Sequence, residues 1–268
     1  MTSIQTDDGV NLAYRVRGDG PLNLVFMHGW AGSGAFFDET IKHLDLSGLR
    51  AITYDLRGHG ASDKPETGYD LDRFTQDAFT VADAAGAAEV VVFGYSMSGK
   101  FAQHMALTEP DRIRGQILVS GWPAGSVPFP AEMHQDWIDR AGVRERLLEL
   151  ERQFLTQPVA PEVVERWLDD AVKVPRLVLD ETLAMATQPS FADQLGDLQV
   201  PTLVVGGTDD PVATPDFMRQ YVVAPLAHVG ARLVLADSNH DIPIEQPRQM
   251  ANLIEAFAAG IEGTRDPA

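Results

Sequence analysis

A chain of 268 residues without a single cysteine has no disulfide, no thiol catalyst and no sulfur ligand for a metal. Its net charge of −18 repels a phosphate backbone, whose binding needs clustered Lys and Arg. Nucleic acid is therefore not an expected partner, and a heavily anionic substrate is disfavoured.

The length accommodates one large α/β domain, with or without an insert, and such a chain buries about 70–75% of its unfolded surface without staples. The opening "MTSIQTDDGVNL" lacks the basic start and apolar block of a signal peptide. No apolar run approaches the ~20 residues that span a bilayer. The expectation is a cytoplasmic protein with no membrane partner.

In chain order, "SIQT", the turn "DDG" and the alternating "VNLAYRVR" (Val10 to Arg17) predict an antiparallel hairpin at a sheet edge. The later strands are nearly continuously apolar: "LVFM" (24–27), "AITY" (51–54), "VVVF" (90–93), "QILVS" (116–120), "TLVVG" (202–206) and "RLVLA" (232–236). Runs of this kind are buried on both faces, which predicts a mostly parallel sheet covered by helices on both sides. Helical patterns fall near 34–45, 71–85, 97–108, 215–226 and 246–259, with Thr214 as a cap before Pro215. The rhythm breaks once, over roughly 80 residues before "TLVVG", far more than one crossover helix requires. Four amphipathic pieces there, "AEMHQDWIDRAG", "RERLLELERQFL", "PEVVERWLDDAV" and "RLVLDETLAMA", predict a helical cap over 122–189, inserted in an α/β core of 1–121 and 190–268. "SFADQLGDL" reads as a helix returning to the core, and the final "GTRDPA" reads as frayed.

"VVVFGYSMSGKF" (90–101) carries the chemistry. Gly94 to Lys100 fits most of a phosphate-cradling loop, and also nearly fits the nucleophile elbow G-x-S-x-G. The phosphate loop fails at Phe101, where a hydroxyl should bind magnesium, and that leaves Lys100 as an exposed helix residue. An elbow needs small residues two before and two after its serine. Gly94 and Ser98 meet this around Ser96, whereas centring on Ser98 puts Lys100 at the crowded place. Ser96 is the expected nucleophile.

A serine hydroxyl needs a base and oxyanion donors. "FMHGWAGSG" supplies a glycine-rich loop after a core strand, so the backbone N–H groups of Trp30 and of Met97 are the expected donors, with His28 structural. Of seven histidines, His43 and His104 fall in predicted helices, His134 in the insert, His59 in a glycine-rich loop, and His228 after a helix without a partner pattern. Only His240 follows the last core strand in a loop long enough to reach the catalytic face. "VGGTDDPVATP" offers the carboxylate at a strand end. Asp209 and Asp210 are adjacent there and must point in different directions, one toward the histidine and one toward solvent.

The chain resembles the serine hydrolases of the α/β-hydrolase fold, over nearly all of its length except the insert. "HGW" resembles that family's oxyanion loop, "YDLRGHGASDKP" its D-x-R-G-x-G-x-S turn, and "GYSMSG" its G-x-S-M-G-G elbow, departing at Ser98. "HDIPIEQP" keeps the histidine, the glutamate five residues on and the proline seven on. The resemblance implies a triad of Ser96, Asp210 and His240, Asp210 being placed by family spacing from the glycine. It implies no cofactor and no metal. Dehalogenases and epoxide hydrolases of similar fold attack with aspartate, and the latter use cap tyrosines, whereas no tyrosine lies between Tyr95 and Tyr221. The implied reaction is hydrolysis of a small to medium carboxylic ester or lactone. Carbon–carbon hydrolysis of diketones, perhydrolysis and a non-catalytic receptor on the same fold are the alternatives. Trp122, Phe129, Trp137 and Trp167 are the candidates for lining a pocket, and the acidic insert favours an uncharged or cationic, largely apolar small-molecule substrate.

Overall fold

The strand Leu22–Met27 shows how the sheet divides the interior: Leu24 and Phe26 enter one apolar layer, Val25 and Met27 the other. A computed structural model describes residues 1–262, and "GTRDPA" lies outside the described residues. Eight strands form one sheet: β1 Thr2–Gln5, β2 Asn11–Arg17, β3 Leu22–Met27, β4 Leu49–Tyr54, β5 Val90–Tyr95, β6 Ile113–Val119, β7 Thr202–Gly207 and β8 Arg232–Ala236. Their order is β1-β2-β4-β3-β5-β6-β7-β8. The β1/β2 and β2/β4 pairs are antiparallel and every other pair is parallel. This is the mostly parallel sheet expected from the apolar runs.

The helices are α1 Asp38–Ile41, α2 Leu71–Ala84, α3 Ser98–Thr108, α4 Ala131–Ile138, α5 Arg144–Glu151, α6 Pro161–Ala171, α7 Arg176–Thr187, α8 Pro215–Phe217, α9 Ile242–Glu245 and α10 Pro247–Glu262. Helices α2 and α3 cover one face of the sheet, where Phe74 stacks on Phe101 at 4.4 Å between ring centroids. Helices α1 and α10 cover the other through Ile41, Met250 and Ile254. Helices α4 to α7 form the excursion between β6 and β7, one for each amphipathic piece read from the sequence.

Four elements differ from their sequence patterns. The β1/β2 hairpin lies at the sheet edge as expected, but in β2 Leu12, Ala13 and Tyr14 are all buried rather than alternating. The loop after β4 covers it: Ala13 N donates to Ser62 Oγ at 2.9 Å and Asn11 N to Asp63 Oδ2 at 2.8 Å. The helix expected over 215–226 lasts only to Phe217, then widens and tightens again before Val229, because Pro225 has no N–H with which to continue a regular ladder. "SFADQLGDL" and the start of 34–45 form tight 3₁₀ turns rather than α-helix.

The D-x-R-G turn acts as a scaffold. Asp55 accepts from Gly34 N and Ala61 N, both at 2.8 Å. Arg57 is fully buried, donating to Asp77 at 2.6 and 2.8 Å and to Asp8 at 3.0 Å, so its charge is paired on both sides. Among the described residues no helix is long and apolar enough to cross a membrane.

Candidate active site

Ser96 stands between β5 and α3 with φ 51°, a left-handed conformation that a non-glycine residue holds at a cost of roughly 1–2 kcal/mol. Its surroundings enforce this. The Ser96 N–H donates to Val119 O at 2.9 Å, and its carbonyl accepts from Gly99 N at 2.9 Å and Trp122 N at 3.0 Å. A Cβ on Gly94 would lie 2.4 Å from the Ser98 carbonyl oxygen, so glycine is needed there as the sequence pattern requires. The close approach on the far side falls one residue later than expected, at Gly99, where a Cβ would lie 2.6 Å from Gly121 Cα. Ser98 is completely buried and donates its hydroxyl to the His28 carbonyl at 2.5 Å, tying the elbow to the loop after β3.

Lys100 is not an exposed helix residue. It is buried, and its ammonium donates to Gly125 O at 3.0 Å and Pro189 O at 2.7 Å, the two stems of the excursion. Burial pushes its pKa down to about 8. No phosphate could reach this amine.

His240 sits on the loop after β8, with Nε2 2.9 Å from Ser96 Oγ and Nδ1 2.8 Å from Asp210 Oδ2. A carboxylate can only accept, so Nδ1 carries the proton and Nε2 is left to accept from the Ser96 hydroxyl. Burial pushes the His240 pKa down, but the charge and hydrogen bond of Asp210 outweigh it and set the pKa above 6.5. Burial likewise raises Asp210, and the charge and hydrogen bond of His240, with the N–H groups of Ala213 and Val212, bring it below its ordinary value. Those N–H groups bind Asp210 Oδ1 at 2.8 and 2.9 Å and fix the carboxyl plane. Asp209, next to it, is exposed.

The glutamate five residues past His240 has a visible purpose. Glu245 Oε2 accepts from Ser238 Oγ at 2.5 Å and Asn239 N at 2.7 Å, while Oε1 accepts from the N–H groups of Thr156 and Gln157. The histidine loop is thereby tied to the segment after α5. Ser120, itself at φ 45°, donates to the His240 carbonyl at 3.0 Å.

Among the described residues, neither Trp30 N nor Met97 N has a protein acceptor, so both of the expected oxyanion donors are available. Gly29 brings that loop against the elbow: a Cβ there would lie 2.9 Å from the Tyr95 ring and 3.1 Å from Ser96 Cβ. Ala31, at φ 58°, turns the chain just after Trp30. Gly29→Ala is therefore expected to displace the loop and lower kcat by about 10²-fold, as misplacement by an ångström does, while the protein remains folded. Turnover of a p-nitrophenyl ester, followed beside thermal melting, checks this; activity within about twofold of the parent would show the loop plays no part.

His28 is structural, as expected. Its ring bonds the Gly29 carbonyl at 2.8 Å and accepts from Leu56 N at 3.0 Å, and burial pushes its pKa down to about 4. His59 lies against it, lowered to about 3 by burial and by His28. His104, His134 and His228 bond to Thr75, Asp180 and Leu198, away from Ser96. No group of three metal-ligating side chains occurs among the described residues.

Ser96 and His240 open on a cavity walled mainly by aromatic side chains. Of the four aromatic candidates, Trp122, Trp137 and Trp167 line it. Phe129 does not; its ring stands behind the wall, 5.9 Å from that of Trp122 and 5.3 Å from that of Trp137. Phe36, Phe154, Glu151 and Asp241 also line the cavity and were not singled out from the sequence. Phe154 packs 5.0 Å from the His240 ring. Trp30 joins them, its indole N–H donating to Leu179 O at 2.9 Å.

A family model for the alpha/beta hydrolase fold matches residues 23–247. A non-heme chloroperoxidase of Streptomyces lividans is 30% identical over 232 residues, which are 79% of this chain and 83% of that protein. A bifunctional esterase/perhydrolase of Acinetobacter calcoaceticus is 27% identical over 237 residues, again 79% of this chain and 83% of its relative. Among solved structures, an esterase from Exiguobacterium antarcticum superposes with a TM-score of 0.85 at 22% identity, covering 96% of this chain and 99% of its own.

Proposed function

The chain belongs to the α/β-hydrolase-fold family, and on that premise we propose that it is a serine hydrolase cleaving a small to medium, largely apolar carboxylic ester or lactone through an acyl-enzyme. The observation that supports this most directly is the unbroken hydrogen-bonded chain from Ser96 Oγ through His240 to Asp210, opening on an aromatic cavity. The Ser96 oxygen attacks the substrate carbonyl while its proton passes to His240 Nε2. Asp210 stabilises the imidazolium that forms, and the N–H groups of Trp30 and Met97 receive the developing oxyanion. Collapse breaks the ester bond, and His240 returns the proton to the departing alcohol. Water then attacks the acyl-enzyme by the same path, giving the acid and restoring Ser96. The helices α4 to α6 serve as the cap of the site, since Trp137, Leu150, Glu151 and Trp167 reach the cavity from them.

A second reading is favoured by the relatives named for chloroperoxidase and perhydrolase activity. In it, hydrogen peroxide replaces water as the second nucleophile, and the same acyl-enzyme gives a peracid.

A fluorophosphonate probe with peptide mapping tests the shared first step, with Ser96 as the expected site of labelling. Absence of label in folded protein would sink the acyl-enzyme. A series of p-nitrophenyl esters of increasing chain length, beside lactones and a diketone and with or without peroxide, then assigns the reaction. Faster turnover of the diketone than of every ester would move the protein to carbon–carbon hydrolysis. Tight binding of one ligand with negligible turnover of all would make it a receptor.

A further inference from the structure

Two carboxyl groups face the cavity, and His240 is the one basic side chain among its lining residues. Glu151 ends α5, and Asp241 follows His240 directly; each is 2% exposed and each lines the cavity. Tyr95 donates its hydroxyl to Asp241 Oδ1. Glu151 Oε1 and Asp241 Oδ2 receive no hydrogen bond from any other group among the described residues, and the two carboxyls bond to each other. No Lys or Arg lines the cavity, and His240, which must be neutral to act as a base, is the one group on its wall that can answer the pair's charge.

Burial pushes the Glu151 pKa well above the carboxylate range, and the neighbouring charge of Asp241 pushes it further. Burial also raises Asp241, to about 6. Both shifts favour a pair that holds one proton in the hydrogen bond between its two carboxyls. One proton still leaves a net charge in a nearly dry place, which is costly without a counter-ion.

The rest of the wall suits the same counter-ion. All four tryptophans of the chain, Trp30, Trp122, Trp137 and Trp167, line this one cavity. Indole faces attract cations, and the attraction grows as water is excluded. An alkyl group would fill the space but leave the pair's charge unanswered, and a carboxylate would be repelled. An ammonium group brings N–H donors to the pair and a charge to the rings.

We propose that the cavity beside Ser96 selects substrates carrying an ammonium group, held between Glu151 and Asp241 against the indole rings. This deepens the hydrolase reading and rests on it for the word substrate; the binding claim stands by itself. Benzylammonium, benzyl alcohol and benzoate have nearly the same size and differ in charge. Their binding to the Ser96→Ala protein is read from tryptophan fluorescence, since every tryptophan faces the site. Benzylammonium should bind at least about tenfold tighter than the alcohol, with benzoate weakest, and the margin should shrink to about twofold in Ser96→Ala/Glu151→Gln and in Ser96→Ala/Asp241→Asn. The alcohol or benzoate binding as tightly as the cation would overturn the proposal, as would no binding of any of the three. A preference that survived both carboxyl substitutions would also overturn it, leaving the pair as a structural link between α5 and the histidine loop. Should one variant fail to fold, the other and the Ser96→Ala comparison still decide. Because Ser96→Ala forms no acyl-enzyme, these results are independent of the labelling experiment that tests hydrolysis.

Discussion

Ser96→Ala is expected to lower kcat on any ester the protein turns over by an amount on the order of 10⁶-fold, with the fold and melting temperature nearly unchanged. The loss is large because nothing nearby can replace the missing oxygen. The Tyr95 hydroxyl of the elbow is held by Asp241 Oδ1, and the other is that of Ser98, two residues past Ser96. It is completely buried and its hydroxyl is committed to the His28 carbonyl. Alanine keeps a Cβ and so bears the same left-handed backbone strain at φ 51° that serine does, which isolates the effect to the oxygen. The measurement is kcat with freshly purified variant, alongside intact mass after fluorophosphonate treatment. Residual activity within tenfold of the parent, or a label that moves elsewhere, would place the nucleophile at another residue.

Asp210→Asn should cost about 10⁴-fold in kcat, and Asp209→Asn little, since only the first touches His240. An amide at 210 can donate to Nδ1 and so favours the tautomer with its proton on Nε2, the nitrogen that must accept from Ser96. The pH profile gives an independent readout. His240 must be neutral to act as a base, so kcat/KM falls as pH drops through its pKa. In the parent that pKa is raised above 6.5, because Asp210 overcomes the effect of burial. With Asp210 made neutral, burial meets only the weaker pull of Asp241, so the acid limb should move to lower pH. An acid limb that stays in place in Asp210→Asn, or a large loss in Asp209→Asn, would reassign the carboxylate.

The parts of the site that could be read from the sequence are those fixed by short-range constraint. Gly94 and Ser96 announce an elbow because the backbone at 94 leaves no room for a Cβ, and the structure brings His240 within hydrogen-bond distance of both Ser96 and Asp210. The two adjacent aspartates could be separated only by motif spacing, and in the structure one is buried against His240 while the other is exposed. The parallel strands were legible because burial on both faces leaves no polar residues to alternate. Glu151 and Asp241 were not, since nothing local marks a glutamate at the end of an amphipathic helix as facing a cavity 90 residues away along the chain. Phe129 failed for the same reason: an aromatic ring can be placed on a helix-rich segment from sequence, but not on one side of its neighbours. Lys100 also looked like a surface residue until the carbonyls of Gly125 and Pro189 were found to converge on its amine.

That lysine has a consequence for how the molecule can change. A single buried ammonium, one helical turn past the nucleophile, clasps both ends of the excursion that carries α4 to α7. Closing a longer or shorter loop between fixed ends alters its closure free energy only slowly. The wall that α4 to α6 supply can therefore vary in length and lining between those ends, as long as Thr156 and Gln157 still present their N–H groups to Glu245 beneath the histidine loop. The clasp sets where such variation can begin and end without moving the elbow.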